Sequence, residues 1–79
     1  MNDMDRNTYL NLTKQYHMNN KVMVKYQNSR YFPCKYEMSF DGDGNVINTA
    51  VLLDENANCY VYAKMDNVEE VKNERLQNR

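Results

Sequence analysis

Side chains at Tyr9, Leu12, Thr13 and Tyr16 recur at the i, i+3, i+4, i+7 spacing that gathers one stripe along a helix, so the pattern predicts an α-helix over about residues 4–18 with one face meant to lie on something. Asp3 or Asp5 is placed to cap its first turn. Asn19-Asn20 ends it, because asparagine tolerates the left-handed conformation that closes a helix, and His17 stands near the negative end of the helix dipole. From Lys21 to Met65 the period falls to two. Val22, Val24 and Tyr26 alternate with Lys21, Met23 and Lys25 in a first strand, and Gln27-Asn28-Ser29 is polar enough to turn. Phe32, Cys34, Tyr36, Met38 and Phe40 then fall on one face, with Tyr31, Pro33, Lys35, Glu37 and Ser39 on the other. Pro33 has no amide to donate, which marks the start of this strand as an edge or a bulge.

Asp41-Gly42-Asp43-Gly44-Asn45 supplies the residues that a hairpin loop needs, and Val46–Leu53 reads as a strand covered on both faces. After the turn Asp54–Asn58, Cys59, Val61, Ala63 and Met65 alternate with Tyr60, Tyr62 and Lys64 in a fourth strand. Residues 66–72 fit two readings. Asp66 with Glu69 makes a capping box for a short helix, and Val68–Val71 makes a brief closing strand. Residues 73–79 are almost all polar and are expected to fray. The fold class that follows is α+β, an N-terminal helix packed on a four- to five-stranded antiparallel sheet, flat or curled into a small barrel whose strand order resembles that of small SH3-like barrels, in one domain spanning 1–79.

A chain of 79 residues lies near the lower limit at which one apolar core sustains a fold unaided, so a homodimer is the natural remedy for a marginal core. Cys34 and Cys59 lack CxxC spacing and have one histidine, His17, for company, so neither a zinc site nor a redox motif is expected; buried free thiols are the leading reading of both and a bridge between them the minority one. The N-terminus has no basic-then-apolar leader and nowhere do roughly eighteen apolar residues run together, which points to a chain of the reducing cytoplasm. The net charge of −1 hides a basic first half, with Arg6, Lys14, Lys21, Lys25, Arg30 and Lys35, and an acidic second half.

Asp41, Asp43 and Asn45 have the first spacings of a calcium loop, but Val46 and Leu52 occupy the places of its glycine and bidentate glutamate, so a plain hairpin tip is expected. A thiol–imidazole pair between His17 and either cysteine finds no local support, and Asp54-Glu55 and Glu69-Glu70 read as solvated charge. Gly42 and Gly44 are followed by no lysine and make no phosphate loop. No catalytic residue, cofactor or metal is therefore expected. By strand parity Met23, Lys25, Tyr31, Lys35, Tyr60, Tyr62 and Lys64 lie opposite the core side, and Lys25, Tyr31, Lys35, Tyr60, Tyr62 and Lys64 form the candidate binding face. Either this face is open for a partner or the helix or a second copy covers it. The expected function is a non-enzymatic protein-binding module; the alternative is a nucleic-acid-binding module using Lys21, Lys25, Arg30 and Lys35.

The run Tyr36-Glu-Met-Ser-Phe-Asp-Gly-Asp-Gly-Asn-Val-Ile-Asn-Thr-Ala-Val-Leu-Leu-Asp-Glu-Asn-Ala-Asn58, followed by Met65-Asp-Asn-Val-Glu69, resembles short accessory proteins of phages and conjugative elements in low-GC Gram-positive bacteria. That resemblance covers about half of the chain and implies an inhibitor of a host nuclease or defence system.

Overall fold

The computed structural model describes residues 4–71. Helix α1 spans Arg6–His17, followed by strands β1 (Val24–Tyr26), β2 (Ser29–Phe40), β3 (Val46–Asp54) and β4 (Cys59–Lys64), a single 3₁₀ turn over Met65–Asn67, and β5 (Val68–Glu70). All neighbouring strands are antiparallel and the sheet order is β4-β3-β2-β1-β5. This is the helix-on-sheet α+β class, with five strands. Of the two readings of the last segment, the closing strand is the one that forms; Asp3, Lys72 and the expected fraying of 73–79 lie outside the described residues.

Local chemistry sets the ends of these elements. Asp5 is the N-cap, its Oδ1 accepting from the Thr8 amide at 2.8 Å, and Tyr9, Leu12 and Thr13 are buried along the helix stripe. Asn19, with φ 69°, turns the chain out of the helix. Gln27 and Asn28 have φ of 53° and 65°, the two positive values that a two-residue type I′ hairpin requires. In the β2–β3 loop Asp41 Oδ1 accepts from the amides of Asp43 at 2.8 Å and Asn45 at 2.9 Å, while Gly44 takes φ 83°. The carboxylate is spent on its own loop, which is what a hairpin tip needs.

The amide donors hold two carboxyls below their ordinary value of 3.8: that of Thr8 acts on Asp5, and those of Asn45 and then Asp43 act on Asp41. A carboxyl depressed in the folded state stabilises above the unfolded value and loses that contribution as pH falls through the folded one. Asp5→Ala and Asp41→Ala are each expected to lower the Tm at neutral pH and to flatten its decline below pH 3.8, measured by circular dichroism against pH.

The 3₁₀ turn carries the chain from β4, at one end of the strand order, directly to β5 at the other. Four residues from Lys64 to Val68 reach at most about 14 Å, whereas the edges of a flat five-stranded sheet stand about 19 Å apart. The sheet is therefore rolled, and it stays open, with no ladder between β4 and β5 among the described residues. Rolling encloses Val24, Ala50, Leu52, Ala63, Met65 and Val68, which Met4, Tyr9 and Leu12 cover from the helix side.

The β2–β3 register slips between Pro33 and Lys35, so Cys34 is a bulge and Pro33 marks it as its missing amide suggested. The bulge corrects the strand parity. Pro33 and Tyr36 pair with Leu52 and Ala50 on the core side, Tyr31 joins them by pairing with the buried Val24, and Phe32 goes to the opposite face. Met38 and Phe40 keep the core-side parity but stay 48% and 62% exposed, because the hairpin runs beyond the enclosed part of the sheet.

Two helix residues complete the bulge. The Tyr9 hydroxyl donates to the Val51 carbonyl at 3.0 Å, and Val51 faces Lys35 across the ladder. His17 Nε2 donates to the Cys34 carbonyl at 2.8 Å; a carbonyl only accepts, which fixes the proton on Nε2.

Candidate functional site

On the face away from the core, three rows cross β2, β3 and β4: Phe32–Leu53–Tyr60, Lys35–Val51–Tyr62 and Glu37–Thr49–Lys64. The helix covers the first row only in part. The Tyr16 ring packs on Phe32 with centroids 5.5 Å apart, and a hollow of about 180 Å³ lies between Tyr16, Phe32, Leu53 and Glu55. Beyond it Tyr60 and Tyr62 stand 59% and 62% exposed on the edge strand, flanked by exposed Lys35 and Lys64. Alternation along β4 explains the pair, since Val61 and Ala63 turn inward and force their neighbours outward.

The structure thus brings together four of the six expected residues: Lys35, Tyr60, Tyr62 and Lys64. Tyr31 is separated from them by the bulge; it packs against the core, its ring 6.1 Å from that of Tyr26. Lys25 lies elsewhere on the sheet, between Arg30 of β2 and Glu69 of β5. Tyr16 and Glu37 are the members that periodicity did not single out. Tyr16 belonged to the helix stripe, and Glu37 is recognisable only once Lys35 is seen 3.4 Å from its carboxylate. Two residues on, along one strand face, is the sequence signal that would have paired them.

The cysteines also depart from expectation. Cys59 is exposed and Cys34 only half-buried, both as free thiols. Cys59 opens β4 opposite Asp54, next to a turn and ahead of the enclosed rows, while the bulge rotates Cys34 out of the core layer. Desolvation where Tyr16 meets the sheet raises its phenol above the ordinary value of 10.0, and the neighbouring Cys34 side chain pushes it the same way. His17 reaches the Cys34 backbone and not its thiol. Among the described residues, no three His, Cys, Asp or Glu side chains gather where they could hold a metal ion, and no helix is long and apolar enough to cross a membrane.

The charges of this face are mixed. Lys35 is paired with Glu37, and Glu55 borders the hollow. What the face offers is aromatic area with polar tips and a low density of cations. Comparison of the chain with protein-family models, with curated proteins and with solved structures finds no match.

Proposed function

We propose that this chain is a non-enzymatic protein-binding module whose contact surface is the outward face of β2, β3 and β4. The observation that carries the reading is the side-by-side exposure of Tyr60 and Tyr62 on a short edge strand, 59% and 62% open to solvent. Tyrosine is enriched at binding hot spots because it supplies large rigid area and a hydrogen-bonding tip at small entropic cost. Lys35 and Lys64 form the charged rim, and the hollow beside Tyr16 accepts a side chain from the partner. The resemblance to accessory proteins of mobile elements makes a host nuclease or defence protein the first partner class to test.

A nucleic-acid surface receives no comparable support, since Lys35 and Lys25 are interleaved with Glu37 and Glu69 and the whole chain is net negative. The test compares wild-type and Tyr60→Ser/Tyr62→Ser proteins as baits in host lysate, with captured proteins quantified by mass spectrometry. The double variant removes no core contact and is expected to stay folded. It should lose a partner that wild type retains, by about tenfold or more, as for loss of a hot spot. Equal capture by a folded variant overturns the reading, and capture that collapses steeply with salt through bound nucleic acid supports the alternative.

A further inference from the structure

The β2–β3 hairpin outruns its neighbours. β4 pairs with β3 only from Thr49 to Asp54, and β1 pairs with β2 only from Ser29 to Tyr31, so the hairpin from Met38 to Asn48 is a two-stranded arm. Its core-side face continues outward as Met38, Phe40, Val46 and Asn48, and Met38, Phe40 and Val46 are 48%, 62% and 52% exposed. A layer that is core nearer the body is here left uncovered.

The outer edge of the arm, Val46–Asn48, has no strand beside it among the described residues. It also carries none of the charges, prolines or bulges with which natural edges avoid pairing. The edge of β5, by contrast, carries Glu69 and Glu70, and β4 ends at Lys64. This free edge is bounded by opposite charges. The loop with Asp41 and Asp43 precedes it, and Lys64, the partner of Thr49, follows it. Laid antiparallel on a copy of itself about a two-fold axis near Ile47, it sets the acidic loop of each copy against Lys64 of the other, whereas a parallel arrangement sets like charge on like.

We propose that the occupant of this edge is a second copy of the chain: Val46–Asn48 of two protomers form the centre of a ladder shared across a two-fold axis, and Met38, Phe40 and Val46 of both merge into one apolar patch. A ladder three residues long places the pairing in the class of small, weak interfaces, below about 1,200 Å² in total, so it depends on concentration. The surface meets the Tyr60–Tyr62 face only at Lys64, and Tyr60 and Tyr62 themselves lie outside it.

Sedimentation equilibrium of the full chain from about 1 µM to about 1 mM tests it. Wild type is expected to show a monomer–dimer equilibrium, with Phe40→Ser and Val46→Lys each raising the dissociation constant by about tenfold or more. At low salt Asp43→Lys and Lys64→Glu should each weaken the dimer, and the combined variant should recover towards wild type. Circular dichroism reports folding, and Val46→Lys, at an edge position half open to solvent, keeps the test valid if Phe40→Ser fails to fold. A monomer at every concentration overturns the proposal, which covers the case of an arm reserved for a different protein or for the chain's own termini. So does a dimer indifferent to both apolar-patch variants, or a combined charge variant weaker than either single one.

Discussion

Tyr9→Ala is expected to lower the free energy of unfolding by about 3–5 kcal/mol, and Tyr9→Phe by about 1–3 kcal/mol, both read from urea titrations. Alanine removes a fully buried ring that joins helix to sheet. Phenylalanine keeps the ring and removes only the hydroxyl that donates to the Val51 carbonyl, beside the Cys34 bulge that has displaced the ladder. The buried Val51 carbonyl then loses that donor, and an unmet buried acceptor costs more than a hydrogen bond contributes when made. The phenol adds an alkaline signature. Burial raises it above its ordinary 10.0, with Cys34 adding to the shift and the Lys35 amide opposing it. A group that resists ionisation in the folded state contributes fully below its unfolded pKa and loses that contribution as pH rises through the folded value. Wild type should therefore lose stability above pH 10, and Tyr9→Phe should show a shallower loss there. A phenylalanine variant as stable as wild type at neutral pH would mean that the bulge needs no hydroxyl.

That hydroxyl also marks the boundary of what the sequence disclosed. The helix was legible because its stripe, its Asp5 cap and its Asn19 terminus each rest on local chemistry within a few residues. The hairpin turns were legible from residues close by, Gln27-Asn28-Ser29 by its polarity and Asp41–Asn45 by side chains that bond their own loop and glycine that takes positive φ. Two-residue parity sorted β4 correctly, and so Tyr60, Tyr62 and Lys64 were placed together. It failed along β2 because one extra residue inverts the facing of everything on one side of it. Pro33 signalled an irregularity but not its position relative to Cys34, and the assignments of Tyr31 and Cys34 turned on that single step. Exposure of Met38 and Phe40 depends on how far neighbouring strands extend, which is a long-range property. Periodicity cannot report it.

Leu52→Ala is expected to cost about 2–5 kcal/mol, a large share of the about 5–15 kcal/mol that holds a domain together. Leu52 is fully buried on β3, paired with Pro33 on one side and Val61 on the other, in the middle of the rolled sheet. Its neighbours are strand residues held by ladders on both flanks, so the cavity left by alanine has little freedom to collapse, which is the condition for a cost in the upper part of that range. In so small a core the loss is not shared out, and thermal unfolding should move well below that of wild type. Met38→Ala is the matched control, on the same face of the sheet but 48% exposed on the arm. Measured at a concentration where the chain is monomeric, it should change stability by no more than about 0.5 kcal/mol. Equal costs at the two positions would mean that the enclosed core extends along the arm, in which case the apolar side chains there would be structural and no longer available to a second copy.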